Sequence, residues 1–250
     1  MRRRTLVSIG MGLILPVLLV GLWELAAARD WISTLFYPKP SDVLQRTWDR
    51  REVLLHDTRV TTGRLLWGFV LGTLPGLGAG LAAGLSRTVR SLLYPIATAL
   101  YVVPRIAMLP LVLVAFSIND SARIFMVAFS VFFIVFFSTL TGVEQVERTH
   151  IETARAFGAG RLRLAVSVLL PGAAATIFSG FRVAMGFALI VIIGTEFLAS
   201  NDGLGARIWT SYQIFDFPSM YAGIVSVTLL GVVLAGVLLL AERAALPWRR

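Results

Sequence analysis

The sequence predicts an all-α polytopic membrane protein, and three observations carry that prediction. Its 57% hydrophobic and 15% charged residues, with a mean hydropathy of +0.80, lie outside the balance of a soluble domain. Apolar runs long enough to span a bilayer recur along the chain, and the arginines gather at the ends of those runs. A hydrocarbon core about 30 Å thick takes roughly 20 helical residues, so this length holds about six crossings with short connections. The expected organisation is a single transmembrane domain over residues 1–250. It divides into a first helix (1–30), an outer loop with an amphipathic helix (31–61) and a core (62–243) that includes a polar loop at 144–171.

The net charge of +9 does not indicate nucleic acid, because no basic stripe carries interleaved aromatics. The arginines set topology instead. The absence of cysteine excludes a disulfide framework and thiolate metal sites.

In chain order, three arginines at 2–4 precede an apolar run from Leu6 to Ala28, too long for an ordinary signal-peptide core and read as a retained first helix. Trp23 and Trp31 fall where an outer aromatic belt is expected, which puts Glu24 near an interface. Residues 29–61 are polar. Tyr37-Pro38-Lys39-Pro40 forbids a continuing helix, and Ser41 is positioned to cap a short amphipathic one bearing Val43, Leu44 and Trp48 on one side. The second span, Leu65 to Leu85, repeats Gly76, Gly80 and Gly84 at four-residue spacing, which allows close helix approach in lipid.

The third span, Ser91 to Ser117, contains Pro95, Pro104 and Pro110, and proline-interrupted helices in lipid tend to line cavities. Arg105 lies inside it and must snorkel, pair or face water, since an arginine at the bilayer centre costs about 2.5–3.5 kcal/mol. Pro104, Arg105 and Pro110 are candidates for a path through the membrane. After a turn at Asn119 and Asp120, a phenylalanine-rich fourth span runs from Arg123 to Thr141. The fifth, Ala174 to Ala199, carries Arg182 near one end and Glu196 near the other. An intramembrane carboxylate is a functional candidate, here for a gate. A turn bounded by Gly203 and Gly205, a helix over Ala206 to Ile214 and a last span from Met220 to Leu240 complete the chain.

The loop at 144–171 is basic and broken by glycine. Ile151 to Phe157 forms a short helix that Gly158 and Gly160 stop, and Leu162 to Leu170 begins another that Pro171 interrupts. The result is a protruding helical knob. Ala154 and Ala156 offer a small-residue surface, with Glu152 and Arg155 at its rim. The spacing is Glu152-Thr153-Ala154, three residues, Gly158, nine residues, then Val168-x-Leu170-Pro171. It resembles the EAA loop of binding-protein-dependent, type I ABC importer permeases, with Thr153 for Ala and Val168 for Ile. VPRIAMLPLVLVAFSIND, ending at Asp120, and GTEFLASNDGLG, from Gly194 to Gly205, are similar to the nitrate, taurine and sulfonate branch of that family.

The resemblance, covering Leu54 to Glu242, implies a permease subunit that is not itself an enzyme. Ile151, Glu152, Thr153, Ala154, Arg155, Ala156, Phe157, Gly158, Leu170 and Pro171 would couple it to a dimer of ABC ATPase subunits. Those subunits, not this chain, would bind ATP and magnesium. The other implied partners are an extracytoplasmic solute-binding protein and a second copy of the permease, with lipid around them and no nucleic acid. The location implied is the bacterial inner membrane, with both termini cytoplasmic.

The residues agree that fuel must come from elsewhere. A P-loop needs a lysine before Ser or Thr after a glycine-rich turn, and the only lysine, Lys39, sits between two prolines. An ion-gradient-driven carrier, the alternative, would need carboxylates near mid-membrane; only Glu24 and Glu196 lie in the spans, both near ends. His56 and His150 fall in loops on opposite sides, so they cannot share a metal, and neither HExxH nor GxSxG occurs.

Overall fold

The structure, a computed structural model, describes the backbone of residues 2–247 and the side chains of residues 14–247. The arginines at 249 and 250, and the side chains of those at 2–4, lie outside the described residues. Every regular element among the described residues is helical. α1 (Arg2–Ala28) and α2 (Pro40–Asp49) precede α3 (Arg51–Leu85), α4 (Arg87–Tyr101) and a 3-10 turn, Ile106–Met108, that leads into α5 (Leu109–Phe116). Then come α6 (Asp120–Glu144), α7 (Arg148–Ala156), α8 (Arg161–Leu164), a π-helical segment Ala165–Leu169, α9 (Leu170–Ala199), α10 (Leu204–Gln213) and α11 (Phe217–Ala245).

Among the described residues four stretches are long and apolar enough to cross a membrane: α3, α6, the continuous run Arg161–Ala199, and α11. The third expected span is not a straight crossing, because α4 and Ile106–Phe116 are bent by 86° at a break. Pro104 makes that break by disfavouring helical geometry at the residue before it, and Pro110 sits in the first turn of α5, where a missing N–H costs nothing. α1 is apolar over Ile14–Ala28 and is tied down at its far end, where Trp23 lies 5.6 Å from the ring of Tyr221.

The centre of the bundle is a seam between α3 and α6. Gly68, Gly72, Gly76, Gly80 and Gly84 face Val127, Val131, Val135, Thr139 and Val143, both series stepping by four in the same direction, so the two helices run parallel. A methyl group at Gly80 would sit 2.7 Å from Thr139 Cβ, and one at Gly76 would sit 2.7 Å from the Phe132 carbonyl oxygen. The glycines therefore let the backbones touch while β-branched side chains fill the groove. α9 packs on the other flank of α6, with Gly142 against Ala173.

Three sequence expectations change here. The expected loop over 31–61 is helical from Arg51 onward, because Leu54, Asp57, Thr61, Arg64, Leu65 and Gly68 form one buried stripe that continues the glycine seam. His56 is accordingly helical. Ser41 does not cap α2. Lys39 holds that position, and Ser41 instead donates from its N–H (3.0 Å) and hydroxyl (2.8 Å) to Glu24, which makes Glu24 the tether between α1 and α2. Pro171 does not interrupt its helix. The π segment just before it widens the turn, so the proline ring escapes the clash it would make in a regular α-helix.

Candidate functional site

The loop joining α6 to α9 projects from one end of the bundle. α7 closes with both hydrogen bonds of a Schellman cap: Ala159 N–H donates to Ala154 C=O (3.0 Å) and Gly158 N–H to Arg155 C=O (2.9 Å). Gly158 takes φ +78°, the left-handed geometry that closure requires, with open space around it. Ile151 and Ala154 rest against the cluster of Val143, Leu164, Leu169, Ala173 and Ile177. Ala154 therefore faces the bundle, not outward as the sequence reading had it. Glu152, Thr153, Arg155 and Ala156 are exposed, Leu170 is half-buried and Pro171 exposed. Phe157 is 85% exposed, and Leu162 stands open beside it.

At the opposite end a polar network joins α3, α6, α9 and α10. Arg64, only 5% exposed, donates from Nη1 to Glu196 (3.0 Å), from Nε to Asp120 (2.8 Å) and from Nη2 to Asp202 (2.6 Å). Glu196 is fully buried and also accepts from the Thr61 hydroxyl (3.0 Å) and the Gly205 N–H (2.9 Å). Asp57 accepts from Arg207 Nε (2.8 Å) and the Gly203 N–H (3.2 Å). Arg123 donates to Asp120 (3.1 Å) and to the Ala199 carbonyl. Gly203 has φ +97°, and a side chain there would meet the Glu196 carboxylate at 2.5–2.6 Å, so the turn admits only glycine. The Arg64 guanidinium bonded to Asp202 holds that carboxyl below the usual aspartate range, outweighing the opposite push of burial. Above the network an open polar cavity of about 830 Å³ is lined by Arg64, Asp120, Arg123, Ser200, Asn201 and Asp202.

Arg105 stands at the break after α4. Its guanidinium lies 5.0 Å from the Tyr101 ring centroid and 5.8 Å from that of Phe187. Nη2 is buried without a hydrogen-bond partner, and no carboxylate pairs with this arginine among the described residues. Phe187 precedes Glu196 by nine residues on α9, about 13 Å along the axis, while Ile106 packs against Gly194, so the half-buried Arg105 directs its guanidinium away from the Glu196 end of the bundle. Pro104 and Pro110, both exposed, flank it.

Sequence reasoning found Glu196 and Arg105 but missed Arg64, its principal partner, together with Asp57, Thr61, Asp120, Arg123, Asp202 and Arg207. The available signal was spacing: Asp57, Thr61, Arg64 and Gly68 step by four, three and four, placing three polar residues on the glycine face. Arg182, expected as a packing residue of α9, pairs with Glu242 of α11. Among the described residues no group of His, Cys, Asp and Glu could hold a metal.

The model of the family described as binding-protein-dependent transport system inner membrane components matches residues 76–246. SsuC of Escherichia coli, named as an aliphatic sulfonates transport permease protein, is 33% identical over 94% of this chain and 90% of its own length. The taurine transport system permease protein TauC of the same species is 30% identical over 98% of this chain and 90% of its own. The nitrate import permease protein NrtB of Leptolyngbya laminosa is 26% identical over 86% and 80%. A solved inward-facing structure of the MetNI methionine ABC transporter superposes with a TM-score of 0.69 over 79% of this chain and 98% of that one. At 17% identity this likeness shows the fold alone, that of a type I importer permease. The chain belongs to the family of binding-protein-dependent transport system inner membrane components.

Proposed function

We propose that this chain is the membrane-spanning subunit of an ATP-driven importer for small anions of the sulfonate, taurine or nitrate type. Two copies line the path, an extracytoplasmic binding protein delivers the solute, and a pair of ATPase subunits docks on the knob from Ile151 to Gly158 in the loop at 144–171. That loop faces the cytoplasm of a bacterial inner membrane, as do both termini, and the Arg64 network lies at the outer mouth. The observation that carries this reading is the capped helix α7. It is anchored by Ile151 and Ala154 and presents Glu152, Thr153, Arg155 and Ala156 beside an exposed Phe157. An exposed aromatic next to charge, at the tip of a rigid helix, is built to enter a partner's groove.

In this reading, closure of the ATPases on ATP pushes two such knobs together and opens the path outward, and hydrolysis resets it. Arg105 supplies the positive charge an anion meets part-way, with Pro104 and Pro110 shaping the wall. Glu196 holds the outer gate through Arg64. The ion-driven alternative gains no support, because Glu196, the carboxylate it would need free, is committed to Arg64, Thr61 and Gly205.

Gly158→Trp tests this. It has room for the side chain but not the right backbone angle, and it crowds the docking tip. Membrane insertion should be unchanged, while co-purification of the ATPase and solute-stimulated hydrolysis fall. Wild-type values of both in the variant would count against the proposal.

A further inference from the structure

The residues just before the knob grip two other helices. Glu144, the last residue of α6, pairs with Arg90 in the first turn of α4. Its neighbour Gln145 accepts from the Thr176 hydroxyl of α9 at 2.9 Å. Tyr101 lies eleven residues beyond Arg90 on α4, and Phe187 lies eleven beyond Thr176 on α9. Eleven residues make about three turns, so each gripped residue shares a helix face with an aromatic ring about 16 Å further along. Those two rings enclose Arg105.

We infer that Glu144 and Gln145 are positioning residues that carry movement of the loop helix to the aromatic enclosure of Arg105, along α4 on one side and α9 on the other. The inference rests on the permease reading above. α9 carries no proline over the stretch concerned and α4 stays helical through Pro95, so a displacement at the gripped end reaches the ring end as a shift or tilt, with Pro95 the point at which α4 flexes. The Arg90 guanidinium also lies 5.8 Å from the Tyr94 ring, and Tyr94 and Tyr101 both pack edge-on against Phe137 of α6 at 5.8 and 5.5 Å. α4 can therefore pivot on Phe137 while Arg90 is pulled. When the rings part, the unpartnered Nη2 of Arg105 is uncovered; when they close, it is shielded. Such a link is established by coupling between its members, not by their proximity.

The chain has no cysteine, so a single introduced thiol reports cleanly. Val102, exposed beside Tyr101, is the reporter position. The complex with its ATPase is placed in nanodiscs, and maleimide labelling of Val102→Cys is timed without nucleotide and after ATP and vanadate have trapped ADP and vanadate on the ATPase. The nucleotide should change the rate. Adding Glu144→Gln or Arg90→Gln should shrink that change by up to about fivefold, equivalent to the about 1 kcal/mol upper end of an exposed ion pair. The swap Glu144→Arg with Arg90→Glu should restore it. Bound ATPase and the thermal midpoint should stay at parent values throughout, which a merely structural role would not predict. A nucleotide response absent from the parent, undiminished in both single variants, or not restored by the swap overturns the inference. Failure of the parent to hold its ATPase would strike the permease reading instead.

Discussion

Arg64 and Arg105 both reach into this bundle, and the molecule treats them in opposite ways. Arg64 is met by Glu196, Asp120 and Asp202, and the backbone carbonyl of Asp202 and hydroxyl of Ser200 fill its remaining donor directions. Arg105 has two ring faces and a buried nitrogen without a partner. Both guanidinium groups lose water, Arg64 as a buried side chain and Arg105 as a half-buried one, and only the first is offset by charge-assisted hydrogen bonds. The difference separates an arginine that holds α3, α6, α9 and the turn after α9 together from one whose charge is left unmatched. Charge alone does not distinguish them. The partners do.

The comparison is broken most directly at Arg64. Arg64→Met leaves Glu196 buried without its cation, and breaking one half of a buried pair costs about 3–5 kcal/mol. The folded yield in detergent and the thermal midpoint should drop sharply. Arg64→Met combined with Glu196→Gln removes both charges and should recover much of that loss, because replacing a buried pair outright is far cheaper than halving it. If the single variant were as stable as the double, Arg64 would not be the structural arginine.

What the sequence made legible follows the same division. The glycine seam could be read because Gly76, Gly80 and Gly84 stand out at helical spacing in an apolar run, and their role extends to Gly68 and Gly72. The knob could be read because its capping geometry is local and Gly158 announces it. The network left only its spacing as a signal, since Asp57, Thr61 and Arg64 otherwise look like an ordinary polar loop until their partners arrive from positions 120, 196 and 202. Polarity does not imply exposure, and residues 51–61 are helix where their polarity suggests a loop. The depth of Arg105 was hidden for a similar reason: it depends on which turn of α9 lies opposite, a tertiary fact with no local trace.

The second way to sharpen the contrast is Arg105→Gln. If this side chain pays an uncompensated desolvation cost, its removal should leave the thermal midpoint unchanged or raise it, the opposite of Arg64→Met. Uptake by the complex reconstituted with its ATPase and binding protein should fall, whether taurine, an alkanesulfonate or nitrate is offered. The expected loss is about ten- to hundredfold, matching the about 1.5–3 kcal/mol of a hydrogen bond to a charged group. A variant that lost stability without losing uptake would move Arg105 into the class of Arg64.

The smallest expected effect comes from the rim of the network. Asp202 has a folded-state pKa below its ordinary value, first because Arg64 bonds it and against the opposing pull of burial. A carboxylate depressed in this way adds stability fully above its unfolded value, about 3.9, and loses it as pH falls through the lower folded value. The midpoint difference between wild type and Asp202→Asn should therefore be flat from neutral pH to about 4, and shrink only below that. Asp202 is 48% exposed, so solvent screens the pair and the difference should stay under about 1 kcal/mol. Asp216, also held low, with burial opposing the Ser219 hydrogen bonds that lower it, titrates in the same acid range but is common to both proteins and cancels. A difference that shrank well above pH 4 would mean that Asp202 is protonated without hindrance. Arg64 would then be less fully partnered than its distances imply, and the line between the two arginines would blur.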